Sequence, residues 1–398
     1  MPPHRSPLPE PGDHALRHSR RVRERIERDI ADSGGWISFA RYMELALYAP
    51  GLGYYSAGAA KFDASGDFIT APELSALFAR TLARQFAPLL ARTGDMADGD
   101  ILELGAGSGR MALDLLTELE SIGRLPRRYR ILEISGDLAG RQRDLLVEHA
   151  PHLAERVEWL HTLPESFSGV IVANEVLDAL PTHLVVWREA GIDERGVAVE
   201  AGEFVWRDQP ITGGRLLTAA TRLQRRGCMS GNAGGYLSEI NLAAGQLVAS
   251  LANILVKGVV LLIDYGFGES EYYHAQRDRG TLMCHYRHHA HEDPFHLPGL
   301  DDMTSHIDFS AIAESGVSAG LRLAGYTTQA QFLINCGITE LLETLAAGDP
   351  PGYASIARAA HKLLSPAEMG ELFKVMALSK NWPEPLSGFT QGDKRRLL

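Results

Sequence analysis

Apolar positions follow two rhythms along this chain. In SFARYMELALY, from Ser38, the residues Phe39, Tyr42, Met43, Ala46 and Leu47 recur at helical spacing. Arg17 to Asp32 reads as a charged helix stopped by Gly34-Gly35, and Pro72 to Leu90 as one long amphipathic helix. From Asp100 the rhythm shortens. Asp100 to Leu104, Tyr129 to Ile134, Val157 to Leu160 and Val170 to Ala173 are short apolar runs, with helical stretches at Arg110 to Ser121 and Leu138 to His149. Alternating strands and helices predict βαβ units, a parallel sheet and right-handed crossovers. LVVW, VAVEA and EFVW, within residues 183 to 212, are separated by turn residues and predict an inserted antiparallel meander. Further on, Leu242 to Leu255 reads as a helix, Val259 to Asp264 as a strand, Phe309 to Ala319 as a helix and Leu321 to Tyr326 as a strand. Residues 336 to 365 read as helical, and Glu371 to Ser379 as the last strand. Residues 265 to 305 show little periodicity.

Composition narrows the class. The 398 residues are 45% apolar, enough for a full core. A net charge of -11 argues against a general nucleic-acid binder, which needs a basic face, but suits a cationic partner. Cys228, Cys284 and Cys336 are scattered and form no CxxC pair, so a reducing compartment is expected. No apolar run is long enough to span a membrane. The Arg-rich stretch from Arg17 to Arg28 is interleaved with acids, unlike a mitochondrial presequence. A cytoplasmic location is expected, with the mitochondrial matrix as the alternative.

Two motifs carry chemistry. ILELGAGSGR, Ile101 to Arg110, is a strand, a glycine turn and a helix start. Glycines let a ligand approach the backbone, and the helix start offers unpaired N–H groups. Dinucleotides and S-adenosyl-L-methionine (SAM) both use such turns. The dinucleotide fingerprint is G-x-G-x-x-G. Here Glu103 is followed by Gly105, Gly107 and Gly109 at alternate positions, a pattern that resembles motif I of the class I SAM-dependent methyltransferases. Glu133 ends the next strand, where an acid can accept both ribose hydroxyls of an adenosine. Since NAD also carries ribose, Glu133 alone does not choose. A NAD-dependent oxidoreductase therefore stays open as an alternative.

The second motif is VIVANEVLDALP, Val170 to Pro181, an apolar strand ending in Asn174, Glu175 and Asp178. With the glycine turn, SGDFITAPELS (Ser65 to Ser75) and DMTSHIDF (Asp302 to Phe309), it resembles the MidA family of class I SAM-dependent methyltransferases. The mitochondrial members of that family are protein arginine methyltransferases needed for respiratory complex I assembly. The resemblance runs from about Ile37 to about Ser379 and includes LLIDYG at Leu261 and TQAQFL at Thr328. Two departures stand out. Ala106 and Ser108 replace a Pro and an Arg of the family's turn, and Val176 and Leu177 replace aromatics after Asn-Glu.

The resemblance implies a Rossmann-like α/β sheet of order 3-2-1-4-5-7-6, strand 7 antiparallel. It divides the chain into a tail and charged helix (1–35), a helical and lid segment (36–98) and a methyltransferase domain (99–398). Insertions in that domain fall near 182–240, 266–305 and 334–368. SAM is the expected cofactor and a protein, such as a complex I subunit, the expected substrate. Glu103, Gly105, Gly107, Gly109, Glu133 and Asn174 are expected at the cofactor, with Gly66, Asp67, Thr70, Pro72 and Glu73 in a lid over it. Thr70 and Glu73 also read as the N-cap and acid of a capping box.

Glu175 and Asp178 are the expected catalytic pair. Carboxylates can hold a guanidinium by paired hydrogen bonds and relay its proton. Asp178 also reads as an acid that stabilises a following helical turn. Asp264, His306 and Asp308 are further substrate candidates, with Asp308 placed to cap the helix at Phe309. MCHYRHHAHEDPFH, from Met283, contains many metal-ligand residue types but no paired cysteines, so it reads as a surface or substrate loop with no metal expected, a metal site being the lesser alternative. Alternatives to arginine methylation are a small-molecule target, another protein side chain, or a non-catalytic SAM-binding assembly factor.

Overall fold

The computed structural model describes residues 8–57, 70–93, 99–227, 235–348 and 353–398. They form two compact units. One is drawn from described residues within Met1–Phe68, Ala179–Ala243 and Ser270–His306, the other from Ile69–Asp178, Ala244–Glu269 and Ile307–Leu398.

The second unit contains the large sheet. Its strands are β1 (Asp100–Leu104), β2 (Tyr129–Leu132), β3 (Val157–Leu160), β4 (Phe167–Asn174), β5 (Leu255–Phe267), β6 (Arg322–Thr328) and β7 (Phe373–Lys380). Along the sheet they stand in the order β3-β2-β1-β4-β5-β7-β6. β1 to β5 are parallel, and β7 is antiparallel to both β5 and β6. A two-residue strand, Ile307–Asp308, pairs with the end of β5. This is the mixed α/β architecture, with a mostly parallel sheet, that the alternating rhythm predicted. Every residue of β1 is buried, and so is β4 from Gly169 to Asn174. Burial on both faces is why such central strands read as unbroken apolar runs. Phe78, Leu82, Phe86 and Leu90 form one helix stripe and join the core with Leu115, Leu119, Val170 and Val259.

Two elements depart from expectation. The helix read at Pro72 to Leu90 is two helices, Ala71–Leu74 and Ala76–Thr93, with Ser75 extended between them (φ -175, ψ 149). The Ser75 hydroxyl accepts the Leu77 N–H at 3.2 Å, a local bond that competes with helix continuation. The strand read at Val259 to Asp264 is only the middle of β5.

The first unit opens with helix Asp13–Asp32, which buries Val22, Ile26 and Ile30 at four-residue spacing. Ser38 caps helix Phe39–Tyr48 by accepting the Arg41 N–H at 3.2 Å. The expected meander is present as antiparallel strands His183–Arg188, Gly191–Glu200 and Glu203–Pro210, extended by Tyr236–Ile240 and Ile37–Ser38. Met283–Tyr286, His289–His291 and Asp302–Thr304 form a small sheet that the sequence did not predict, since strands of three or four residues carry little periodicity. Among the described residues, no helix is long and apolar enough to cross a membrane.

Candidate functional site

Register places the candidate residues. Leu104 stands opposite Leu132 and Ala173, and Ile263 stands opposite Asn174. Gly105, just past β1, Glu133, just past β2, and Asn174, the last residue of β4, therefore fall in one row, and Asp264 lies one step beyond on β5. In an open α/β sheet this carboxyl edge is where ligands bind.

On the β1 side, Gly105, Gly107 and Gly109 all have positive φ, between 55° and 85°. Only glycine adopts such values without strain. Among the described residues, chain neighbours apart, no atom lies within 4 Å of the place a Gly107 side chain would take. Glu103 lies beneath the turn, fully buried, accepting the Tyr129 hydroxyl at 2.6 Å. Burial pushes its carboxyl up to about 7, against that hydrogen bond and with help from the Glu133 charge. Glu133 accepts the Ser135 N–H at 2.9 Å on one oxygen and the Gln142 amide at 3.0 Å on the other. Gln142 also donates to the Gly107 carbonyl at 2.9 Å. Sequence reading passed over Gln142, although it occupies the buried stripe of its helix with Ala139 and Leu146.

The lid candidates divide. Gly66 and Asp67 lie outside the described residues. Thr70 is the N-cap of Ala71–Leu74 by backbone conformation, but its side chain makes no capping bond. The capping box is therefore not formed. The Glu73 carboxylate instead accepts the Ser108 hydroxyl of the glycine turn. Pro72 is buried in the first turn of that helix.

On the β4 side, Glu175 is half-buried at φ 53, a conformation that strains a non-glycine residue. Its N–H donates to the Ile263 carbonyl at 2.9 Å, and its carboxylate accepts the Asn174 amide at 3.1 Å. The Asn174 amide oxygen is buried and has no donor among the described residues. Asp178 is buried, and one of its oxygens accepts the Tyr265 hydroxyl at 2.5 Å. No helix follows Asp178; Glu175 to Leu180 is an irregular turn, so the helix-stabilising reading of Asp178 is corrected. The buried Asp264 carboxylate accepts the N–H groups of Leu177 (3.0 Å) and Asp178 (3.3 Å) and so shapes that turn. Burial first, then the charges of Asp178 and Glu175, raise the Asp264 carboxyl well above the usual range.

The remaining candidates separate from this row. Asp308 caps Phe309–Ser318, accepting the N–H groups of Ser310 (3.0 Å) and Ala311 (3.2 Å). His306 belongs to the other unit, where its N–H donates to the Thr281 hydroxyl at 3.0 Å. In the histidine-rich segment, His291, His296 and Asp301 converge. The His291 Nδ1 accepts the Asp293 N–H, so the neutral ring carries its proton on Nε2, 3.6 Å from Asp301. Asp301 also holds His296 at 3.2 Å, and this hydrogen bond raises the His296 pKa.

The site's chemistry suits SAM: open glycine backbone, a ribose-type acid and an orphaned buried acceptor in one row. Comparison with known proteins agrees. The family signature for SAM-dependent methyltransferases, Methyltransf_28, matches residues 81–327. Curated relatives named protein arginine methyltransferase NDUFAF7, mitochondrial, include that of Danio rerio, 27% identical over 90% of this chain and 89% of its own. That of Homo sapiens is 26% identical over 87% and 80%. The Drosophila melanogaster homolog is 29% identical over 87% and 82%. A crystal structure of a COG1565 superfamily member from Burkholderia thailandensis, bound to S-adenosyl-homocysteine, is 47% identical. It covers 98% of this chain and 100% of its own with a TM-score of 0.92. The chain belongs to the Methyltransf_28 family and is a SAM-dependent methyltransferase.

Proposed function

We propose that this enzyme methylates arginine side chains of a protein, a subunit of a complex I type respiratory enzyme. The observation that carries the reading is the carboxyl cluster at the end of β4, where the charges of Asp178 and Glu175 reach Asp264 on β5. Such a cluster suits a cationic side chain, and the animal relatives are named for arginine methylation. Guanidinium is planar and permanently charged, so it needs its plane fixed and its departing proton received. Glu175 holds the guanidinium by paired hydrogen bonds. Asp178, anchored by Tyr265, supports it and relays the proton. SAM, when bound, supplies the methyl group on its sulfonium. The residues around it hold the nucleophile close to that methyl and aligned with the bond that breaks.

In this reading Glu133 takes the ribose hydroxyls, and Gly105, Gly107 and Gly109 admit the cofactor's methionine end. The orphaned Asn174 oxygen meets its amino group. Glu103 supports the turn from below, and Asp264 positions the turn carrying Glu175. Thr70, Pro72 and Glu73 lie over the cofactor. The place of work is a bacterial cytoplasm or a mitochondrial matrix, where such a subunit is met before assembly. The test is mass spectrometry of methylarginine in complex I subunits, with and without the gene. Purified enzyme with labelled SAM then checks the site found. Label on a small molecule, or on another side chain, sinks the reading.

A further inference from the structure

We propose that Gln142 is the positioning residue of the cofactor site: its amide locks the Glu133 carboxylate to the glycine turn, leaving each Glu133 oxygen a lone pair for one ribose hydroxyl. The inference rests on the reading of Glu133 given above. Gln142 is fully buried at mid-helix, within Gly136–His149. Its oxygen accepts the Trp159 Nε1–H at 2.9 Å. An indole N–H only donates, so this bond fixes which end of the amide is oxygen. Both amide hydrogens then face acceptors, the Gly107 carbonyl at 2.9 Å and Glu133 at 3.0 Å. All three polar positions of the side chain are used.

The consequence lies in Glu133. A carboxylate has about four lone-pair sites. Ser135 occupies one on the first oxygen and Gln142 one on the second. Among the described residues nothing takes the other site on each oxygen, which matches two neighbouring hydroxyls. The same side chain packs against the turn: a Cβ on Gly109 would stand 3.1 to 3.2 Å from Gln142 atoms. Gln142 therefore ties together, by bonding and by contact, two segments that must present themselves to one ligand.

Only an amide does this. Glutamate at 142 would set an acceptor against two acceptors and put two carboxylates side by side. It would regain a donor only on protonation. Methionine would keep the volume and lose all three bonds.

The test is calorimetric binding of S-adenosyl-homocysteine and its 2′-deoxy analogue to the full chain, wild type against Q142M, Q142E, W159F and E133Q. Q142M should weaken S-adenosyl-homocysteine about tenfold, with a smaller loss for the 2′-deoxy analogue. Between pH 6 and pH 8 Q142E should lose more affinity than wild type, beyond any trend that Glu103 gives both proteins. W159F, which leaves the amide in place without its orienting donor, should lose about threefold and serves if Q142M does not fold. Equal losses for both ligands, with no added pH trend in Q142E, overturn the proposal by making Gln142 merely structural. Unchanged binding in the Gln142 variants beside a weakened E133Q overturns the proposal alone. Unchanged binding in E133Q overturns the ribose reading of Glu133 and the proposal with it.

Discussion

The turns that follow β1 and β4 are neighbours in the sheet and are built from contrasting materials. After β1 the positive φ values fall on glycines, and the acids Glu103, Glu133 and Glu73 each accept hydrogen bonds from neutral donors. After β4 the positive φ falls on Glu175, a side chain that must be held there against its own preference. Around it Asp264 is raised first by burial, and the crowded carboxyl groups of Asp178 and Glu175 raise it further. In the proposed reading the first turn takes a neutral sugar and a backbone-hugging ligand. The second gathers carboxyl groups, which suit a cation. The proposed function thus divides binding and chemistry between adjacent strand ends.

The largest expected effect tests the charged side. Glu175→Gln keeps the size and the Asn174 contact but removes the charge. It should lower kcat roughly 100-fold or more while S-adenosyl-homocysteine affinity stays within about threefold. Single-turnover methyl transfer and calorimetry read the two quantities separately. If cofactor affinity falls as far as kcat, the division between the turns collapses. Glu133→Gln is the mirror experiment. It should weaken cofactor binding by about 10- to 30-fold, with kcat at saturating SAM largely kept. Tyr265→Phe acts between these limits. It removes the 2.5 Å bond to Asp178 and should cost about fivefold in kcat, with no change in cofactor affinity.

How much of this contrast could be read from the sequence depends on how local each feature is. The glycine turn and the acids at strand ends were legible because strand, turn and helix each announce themselves within a few residues. Gln142 was not. Its partners Gly107, Glu133 and Trp159 come from three strand ends, and only the fold brings them to one amide. Its sole local signal was a polar residue on a buried helical stripe. The Glu73 contact was misread for the same reason: a capping box is a local pattern, and Ser108 is a distant competitor that wins. Asp178 was given a helical turn that does not form; its hydroxyl partner is Tyr265, far along the chain on β5.

The smallest effect on activity should come from Glu103, and it sharpens where the neutral turn ends. Glu103 lies under the turn, and its amide replacement can still accept the Tyr129 hydroxyl. Glu103→Gln should therefore move cofactor affinity less than about threefold. Its signature is in stability. Burial lifts the carboxyl from 4.5 to about 7. Between those values the folded chain holds a proton that the unfolded chain has released, so wild-type stability falls as pH rises through the window. The penalty is complete above pH 7 and absent below about pH 4.5. Glutamine carries no such proton. Denaturant titrations at pH 5 and pH 8 should show the variant gaining about 2 kcal/mol on wild type between the two. A slope remains in both proteins, because Asp264 is raised in the same direction. An equal wild-type-to-variant difference at both pH values would mean that Glu103 is not the titrating group. A loss of cofactor affinity as large as that of Glu133→Gln would move Glu103 out of the foundation and into the ligand's own contacts.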